Sequence, residues 1–214
     1  MKQTLSLVLM VAALNGCAQS SGNQMVKEDK KVGGSCEGCE AIYESPVKFE
    51  DLSWETTLPG YKEGNPKLHV SGTVYYKDGK TPAKDVILYF YHTDVTGIYP
   101  KRGDEKGWGE RHGYLRGWVK TDEKGRYSFY TIKPGAYPQQ TTNPSHIHIT
   151  VKEHGKTAYW IDDFLFDDDP ILSAEDRNRQ QNRGGNGILV LTNRNGISEG
   201  KRDIVLGKNV PGYN

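Results

Sequence analysis

Tyr137, His146 and His148, near the middle of the chain, have the types and the spacing to hold a metal ion. In an extended strand successive side chains leave opposite faces, so His146 and His148 share one face while Ile147, Ile149 and Val151 share the other. Imidazoles at i and i+2 stand about 7 Å apart at Cα, within reach of one ion. A plain half-buried strand whose solvent row is His146, His148 and Thr150 would show the same alternation. Tyr137 follows Pro134-Gly135, which reads as a tight turn, and precedes Pro138, which fixes the local backbone. A β-sandwich that binds nothing can also carry a Gly-x-Tyr-x-Phe strand, a Pro-Gly pair and a tyrosine, here Gly125, Tyr127, Phe129, Pro134, Gly135 and Tyr137. It does not need the Pro-x-His-x-His strand that starts at Pro144.

Donor chemistry narrows the choice of metal. Hard, anionic phenolate oxygens suit a highly charged ion and imidazole suits iron among several metals, so a Tyr and His set favours Fe(III) over zinc or copper(I). A free phenol, with a pKa of about 10, is neutral at pH 7. A strongly charged ion inverts that preference and keeps the oxygen deprotonated.

Taken together, Thr121, Asp122, Gly125, Tyr127, Phe129, Thr131, Pro134, Tyr137, Pro138, Pro144, His146 and His148 form a string that resembles the intradiol ring-cleavage dioxygenases. That family includes protocatechuate 3,4-dioxygenase and catechol 1,2-dioxygenase, and the likeness runs from about residue 72 to 207. The resemblance implies a non-haem Fe(III) held by two tyrosinates and two histidines, with Tyr137, His146 and His148 as three of the ligands. It places the fourth in the Gly-x-Tyr segment Val95-Thr96-Gly97-Ile98-Tyr99, hence Tyr99, with Tyr91 and Tyr114 as nearby competitors. The implied reaction opens a catechol-type ring between its hydroxyl-bearing carbons with O₂, giving a dicarboxylate. The chain departs from the family at Asn143, where an arginine is usual. Asparagine donates hydrogen bonds but supplies no charge to developing anions. Arg102, Arg111 and Arg116 are candidates to replace that charge and equally read as surface arginines. The departure motivates a second reading, a non-catalytic lipid-anchored β-sandwich binding module.

The elements that must position these residues read as an all-β chain, and with the resemblance as a β-sandwich of mixed sheets with long functional loops. Apolar runs are short and bounded by turn residues. Strands are expected at 68–76, 85–91, 146–151, 159–166, 187–191 and 203–207, the second apolar on both faces and therefore central. His92 ends that second strand, placed either to reach the pocket or to be a satisfied structural histidine. Residues 114–120 and 126–132 are expected to form a hairpin about the turn Asp122 to Gly125, and Ser173 to cap a short helix through Arg179 with Asp176 at its third position. Asp167, Asp168 and Asp169 lack the ligand spacing of a calcium loop and read as an acidic turn.

The amino terminus addresses location. Residues 1–17 combine Lys2, a short apolar run and Leu14-Asn15-Gly16-Cys17, the pattern of a bacterial lipobox whose cysteine carries the lipid. No other stretch is long and apolar enough to cross a bilayer as a helix. Residues 18–35 are polar and read as a flexible tether, leaving 36–214 as one β-sandwich domain anchored outside the cytoplasm. In that compartment Cys36 and Cys39 are expected to form a disulfide. Charge excludes one function class: 28 basic against 27 acidic residues leave no footprint for nucleic acid. No internal repeat, phosphate loop or serine-nucleophile motif is present.

Overall fold

The computed structural model describes residues 29–138 and 142–214. The expected signal segment with Cys17, and the expected tether up to residue 28, lie outside the described residues. In chain order the strands are β1 (Glu55–Thr57), β2 (Lys67–Tyr75), β3 (Ile87–His92), β4 (Arg116–Lys120), β5 (Arg126–Ile132), β6 (His146–Lys152), β7 (Tyr159–Trp160), β8 (Phe164–Phe166), β9 (Ile188–Leu189), β10 (Thr192–Arg194), β11 (Ile197–Lys201) and β12 (Ile204–Val205). They form two mixed sheets, one ordered β1-β5-β2-β11-β10 with β12 also on β2, the other β4-β3-β6-β8-β9 with β7 also on β6. The fold is a β-sandwich. Two short helices, α1 (Gly109–His112) and α2 (Ala174–Arg179), lie in the connections.

Alternation builds the core between the sheets. Along β2, Leu68, Val70 and Val74 point inward while His69, Ser71 and Thr73 stay partly exposed. Leu88 and Phe90 of β3, Tyr127 and Phe129 of β5, and Ile147, Ile149 and Val151 of β6 join them. Phe90 stacks on Phe129 with ring centroids 4.2 Å apart. Each such side chain, fully buried, contributes about 1.5–3 kcal/mol. Since odd-numbered β6 residues are committed inward, the even-numbered His146, His148 and Thr150 must leave the outer face of the second sheet. β6 pairs antiparallel with β3, setting His148 opposite Tyr91 and Thr150 opposite Tyr89.

That outer face is covered rather than bare. A 3-10 turn, Cys39–Glu44, seats Ala41 and Ile42 against Ile87, Tyr89 and Trp118, and the Trp118 indole N–H donates to the Ile42 carbonyl at 2.9 Å. Cys36 and Cys39 are joined by a disulfide at the start of this cover. Residues 29–35, expected to belong to the tether, instead pack on the domain. Val32 is buried, the Gly33 N–H donates to the Pro211 carbonyl at 2.8 Å, and Arg183 donates to the Gly33 carbonyl at 2.9 Å. One buried apolar side chain, paired backbone groups, and side-chain contacts from Arg183 and Lys152 hold a segment that composition alone marks as flexible.

Three local expectations are corrected. β4 and β5 are not a hairpin, because β4 pairs with β3 and β5 with β1 and β2, so the turn Asp122 to Gly125 carries the chain from one sheet to the other. Val119 and Tyr127 thereby reach the common core from opposite sides. The strand expected over 159–166 is broken into β7 and β8, because Asp162 turns aside to accept the Asn182 N–H at 2.7 Å and Asp163 turns to His148. Pro134-Gly135 lies in an irregular stretch after β5 and is not a tight turn. The helix, by contrast, starts where expected, with Ser173 and Asp176 forming a reciprocal capping box.

Candidate metal centre

Three separate segments bring four donors to one point. β6 supplies His146 and His148, the loop after β3 supplies Tyr99, and the loop after β5 supplies Tyr137. Tyr99 Oη lies 2.6 Å from Tyr137 Oη and 2.9 Å from His148 Nε2. Tyr137 Oη lies 3.3 Å from His146 Nε2, and the two Nε2 atoms are 3.1 Å apart. The two tyrosine loops are fixed to each other by backbone. The Gly135 N–H donates to the Asp94 carbonyl at 2.8 Å and the Thr93 hydroxyl donates to the Gly135 carbonyl at 2.8 Å. A Cβ at Gly97, where φ is +80°, would stand 1.9 Å from the Ala136 carbonyl oxygen, and one at Gly135 would stand 2.3 Å from that of Val95. Glycine at both places permits this close approach.

The histidine tautomers follow from their far nitrogens. His146 Nδ1 lies 2.7 Å from the Pro144 carbonyl, which can only accept, so Nδ1 carries the proton and Nε2 a lone pair. His148 Nδ1 faces the Asp163 carboxylate at 3.2 Å, with the same consequence. Two lone pairs therefore point at each other across 3.1 Å, an arrangement suited to a cation between them. Burial and the neighbouring His148 lower the pKa of His146, keeping its ring neutral. Burial raises Tyr99, helped by its hydrogen bond to Tyr137, and burial also raises Tyr137. Both phenols stay protonated until a nearby positive charge favours the phenolate. Two neutral imidazoles and two ionisable phenols fit a highly charged, oxygen-loving metal ion such as Fe(III). Asp163 joins His146 and His148 in a group whose ligand atoms lie within 4.8 Å of one another, yet it sits behind His148 on the Nδ1 side. Its place is that of an orienting partner.

Supports behind the donors were not legible from local pattern. Asp169 accepts from the Ser145 N–H at 2.7 Å and hydroxyl at 2.5 Å, fixing the start of β6 one residue before His146. Buried Arg202 donates to the Asp162 carbonyl at 2.6 Å, pinning the turn that carries Asp163. Tyr91 stacks on His148 with centroids 4.4 Å apart, and His112 stacks on Tyr91 at 3.7 Å. Of the competitors for Tyr99, Tyr91 supplies a ring face and Tyr114 lies under Arg102 at 4.4 Å, so neither brings its hydroxyl to the donors. His92 is structural: fully buried, it meets the Thr93 carbonyl at 2.6 Å and the Thr131 hydroxyl at 2.7 Å. The acidic turn is fully engaged, Asp167 with Arg177, Asp168 with Lys133 and Asp169 with Ser145.

A cavity of about 440 Å³ opens beside the donors, bordered by Tyr137, His146, His148, Asn143, Trp160 and Arg179. Arg102, Arg111 and Arg116 do not border it. Arg111 pairs with Glu37 at 2.5 Å and Arg116 with Glu44 at 2.8 Å. A larger groove of about 990 Å³, between residues 44–59 and the loop at 102–107, contains none of the four donors.

Residues 49–183, a stretch that contains all four donors, match the family described as Dioxygenase. The chain belongs to the intradiol dioxygenase family. It is 29% identical over 132 residues to the protocatechuate 3,4-dioxygenase beta chain of Burkholderia cepacia, an overlap of 58% of this chain and 56% of that one. The chain thus spans little more than half of that relative. Among solved structures, the dioxygenase domain of a dioxygenase and carbohydrate-binding protein fusion from Streptomyces sp. SirexAA-E superposes with a TM-score of 0.55 at 24% identity, covering 75% of this chain and 93% of that one. The 3-chlorocatechol 1,2-dioxygenase of Rhodococcus opacus gives 0.54 at 20% identity, covering 72% and 64%. At these identities the superpositions establish the shared sandwich. Family relatives are ring-cleavage dioxygenases, which sets the chemistry to be tested here.

Proposed function

We propose that this intradiol family member is a non-haem Fe(III) dioxygenase that opens a catechol-type ring between its hydroxyl-bearing carbons with O₂. The observation that carries this is the meeting of Tyr99, Tyr137, His146 and His148, with both histidine lone pairs turned inward. These four residues would hold the ion. A bound ferric ion supplies Lewis acidity, which favours the doubly deprotonated catechol and makes its ring reactive toward O₂.

The chain's own residues do the rest. Asp163 and the Pro144 carbonyl hold the Nδ1 protons, keeping each Nε2 free to donate electrons. Tyr137 borders the cavity and Tyr99 does not, so Tyr137 Oη is the phenol oxygen placed to take a proton from an incoming catechol hydroxyl. Trp160 gives the cavity an aromatic wall against which the ring can pack. Asn143 stands at the rim as a neutral hydrogen-bonding group, so the carbanionic charge that develops during ring opening lacks the arginine usual in the family. A slower reaction follows from that loss.

The same proposal places the enzyme outside the cytoplasm, tied to a bacterial membrane through lipid on Cys17. The Cys36–Cys39 disulfide supports an oxidising compartment. Oxygen uptake with catechol, together with chromatographic detection of the ring-opened dicarboxylate, tests the activity. Iron-loaded protein that binds catechol without consuming O₂ would instead favour the non-catalytic binding module.

A further inference from the structure

A second space lies behind His148, besides the cavity described. A slot of about 280 Å³ lies on the other side of Trp160 and Asp163, and both spaces share His148. Its outer wall is the disulfide-closed loop, Cys36, Glu37 and Gly38, and its floor is Tyr91 and Thr150. Gly38 has φ +81°, and a Cβ there would lie 3.0 Å from His112 Nε2, so the loop is seated on the ring that stacks on Tyr91. A catechol ring at the donors has room for its substituent in the 440 Å³ cavity, and the slot lies across Trp160 and Asp163 from it, the two together forming the cleft that surrounds the substituent.

The charges lining the cleft are one-sided. The 440 Å³ cavity is bordered by Asp162, Asp163 and Asp176, and the slot by Glu37 and again Asp163. Among the described residues, Arg179 is the one cation bordering either space, and its guanidinium is already bonded to Asp176 at 2.5 Å, with Glu175 3.5 Å away. Glu37 is matched by Arg111 at the rim. Asp163 faces the His148 ring N–H, with buried Arg202 near both it and Asp162 but donating to backbone carbonyls, and Asp162 accepts a backbone N–H. A carboxylate brought into this cleft on a substituent would meet fixed negative charge, while the guanidiniums nearby, Arg179, Arg111, Arg183 and Arg202, are each held by a protein acceptor. Like-charge approach at this range is costly, and discrimination then comes from repulsion as much as from fit.

We propose that this cleft selects catechols whose ring substituent is uncharged or cationic and turns away those bearing a carboxylate. The inference rests on the proposed ring-cleavage activity for the place of the ring, and on the cleft's own residues for the charge preference.

The test compares catechol, 4-methylcatechol, 3,4-dihydroxyphenethylamine and 3,4-dihydroxybenzoate by oxygen uptake with the iron-loaded protein. The expected order of kcat/KM puts the amine at or above 4-methylcatechol and the benzoate about ten-fold or more below it. The gap to the benzoate should narrow as salt is raised. Glu37→Gln releases Arg111 beside the slot. It should raise the benzoate relative to 4-methylcatechol about three-fold, with iron content unchanged as the check that the centre survives. Turnover of the benzoate equal to or better than 4-methylcatechol would overturn the proposal, as would a benzoate ratio that ignores both salt and the Glu37 change. Oxygen uptake with none of the four would sink the activity instead. Anaerobic titration of the same four ligands, followed by the visible spectrum, then still decides the charge preference by their order of affinity.

Discussion

On the outer face of the first sheet, His69 stacks on Tyr130 with centroids 4.3 Å apart, and its Nε2 lies 3.0 Å from the Ser128 hydroxyl, which in turn donates to Glu55 at 3.0 Å. On the outer face of the second sheet, His146 and His148 meet Tyr99 and Tyr137 at similar distances. The residue types are nearly the same, yet the two arrangements differ in where the protons go. In the first, each donor has an acceptor, and the chain from His69 through Ser128 to Glu55 is complete. In the second, both Nδ1 protons are directed backward to Pro144 and Asp163, so two Nε2 lone pairs and two phenol oxygens converge on one point. A satisfied polar cluster decorates a sheet, whereas one with its lone pairs converging provides a site for a cation.

That contrast can be broken most directly by removing donors. His146→Ala or His148→Ala should lower iron occupancy and ring-cleavage rate more than about 100-fold, beyond what loss of a supporting partner costs, while His69→Ala leaves both within about two-fold. Metal analysis and oxygen uptake on the three variants check it. Equal losses at His69 would erase the distinction.

A second effect sets buried His92 against exposed positions. Burial pushes the His92 pKa down to about 4. The unfolded chain titrates at about 6.5, so between these values the unfolded state binds more protons. Stability is therefore full above about pH 6.5, falls by about 3 kcal/mol from this residue as pH drops toward 4, and falls no further below it. Urea unfolding at pH 7 and pH 4.5 should show a smaller decrease for His92→Gln than for the unaltered protein.

Asp163→Asn comes next. An asparagine can turn its NH₂ toward His148 Nδ1 and invite the wrong tautomer, so iron affinity should fall about 10- to 100-fold, with a matching shift in the visible spectrum. Glu55→Gln, behind Ser128 on the other sheet, should leave that affinity unaltered. The smallest effect is on stability at the first cluster: His69→Ala should change unfolding free energy by less than about 1 kcal/mol, since the ring is only partly buried.

What was legible in sequence follows the same division. Strand alternation assigns Ile147 and Ile149 inward and His146 and His148 outward, because period two is a property of the backbone itself. The capping box at Ser173 and Asp176 is likewise local. The resemblance selected Tyr99 over Tyr91 and Tyr114, and the structure brings its hydroxyl to the other three donors. The supporting roles of Asp163, Asp169 and Arg202 escaped notice because their partners lie 15, 24 and 40 residues away, where no spacing rule applies. The sheet-crossing path of β4 and β5 was missed for a related reason: a hairpin and a crossing share the same turn residues and differ only in tertiary pairing. The polar edge pair β10 and β11 has no apolar pattern to read, and it is held by β11 lying parallel to β2.

The central claim is that two phenols and two imidazoles hold one oxidised iron, and iron content measured with the visible spectrum tests it most directly. The account predicts about one iron per chain and a burgundy colour from phenolate-to-iron charge transfer, altered in Tyr99→Phe and Tyr137→Phe. Colourless, iron-free protein from an iron-replete preparation, or a spectrum indifferent to both tyrosine changes, would contradict it.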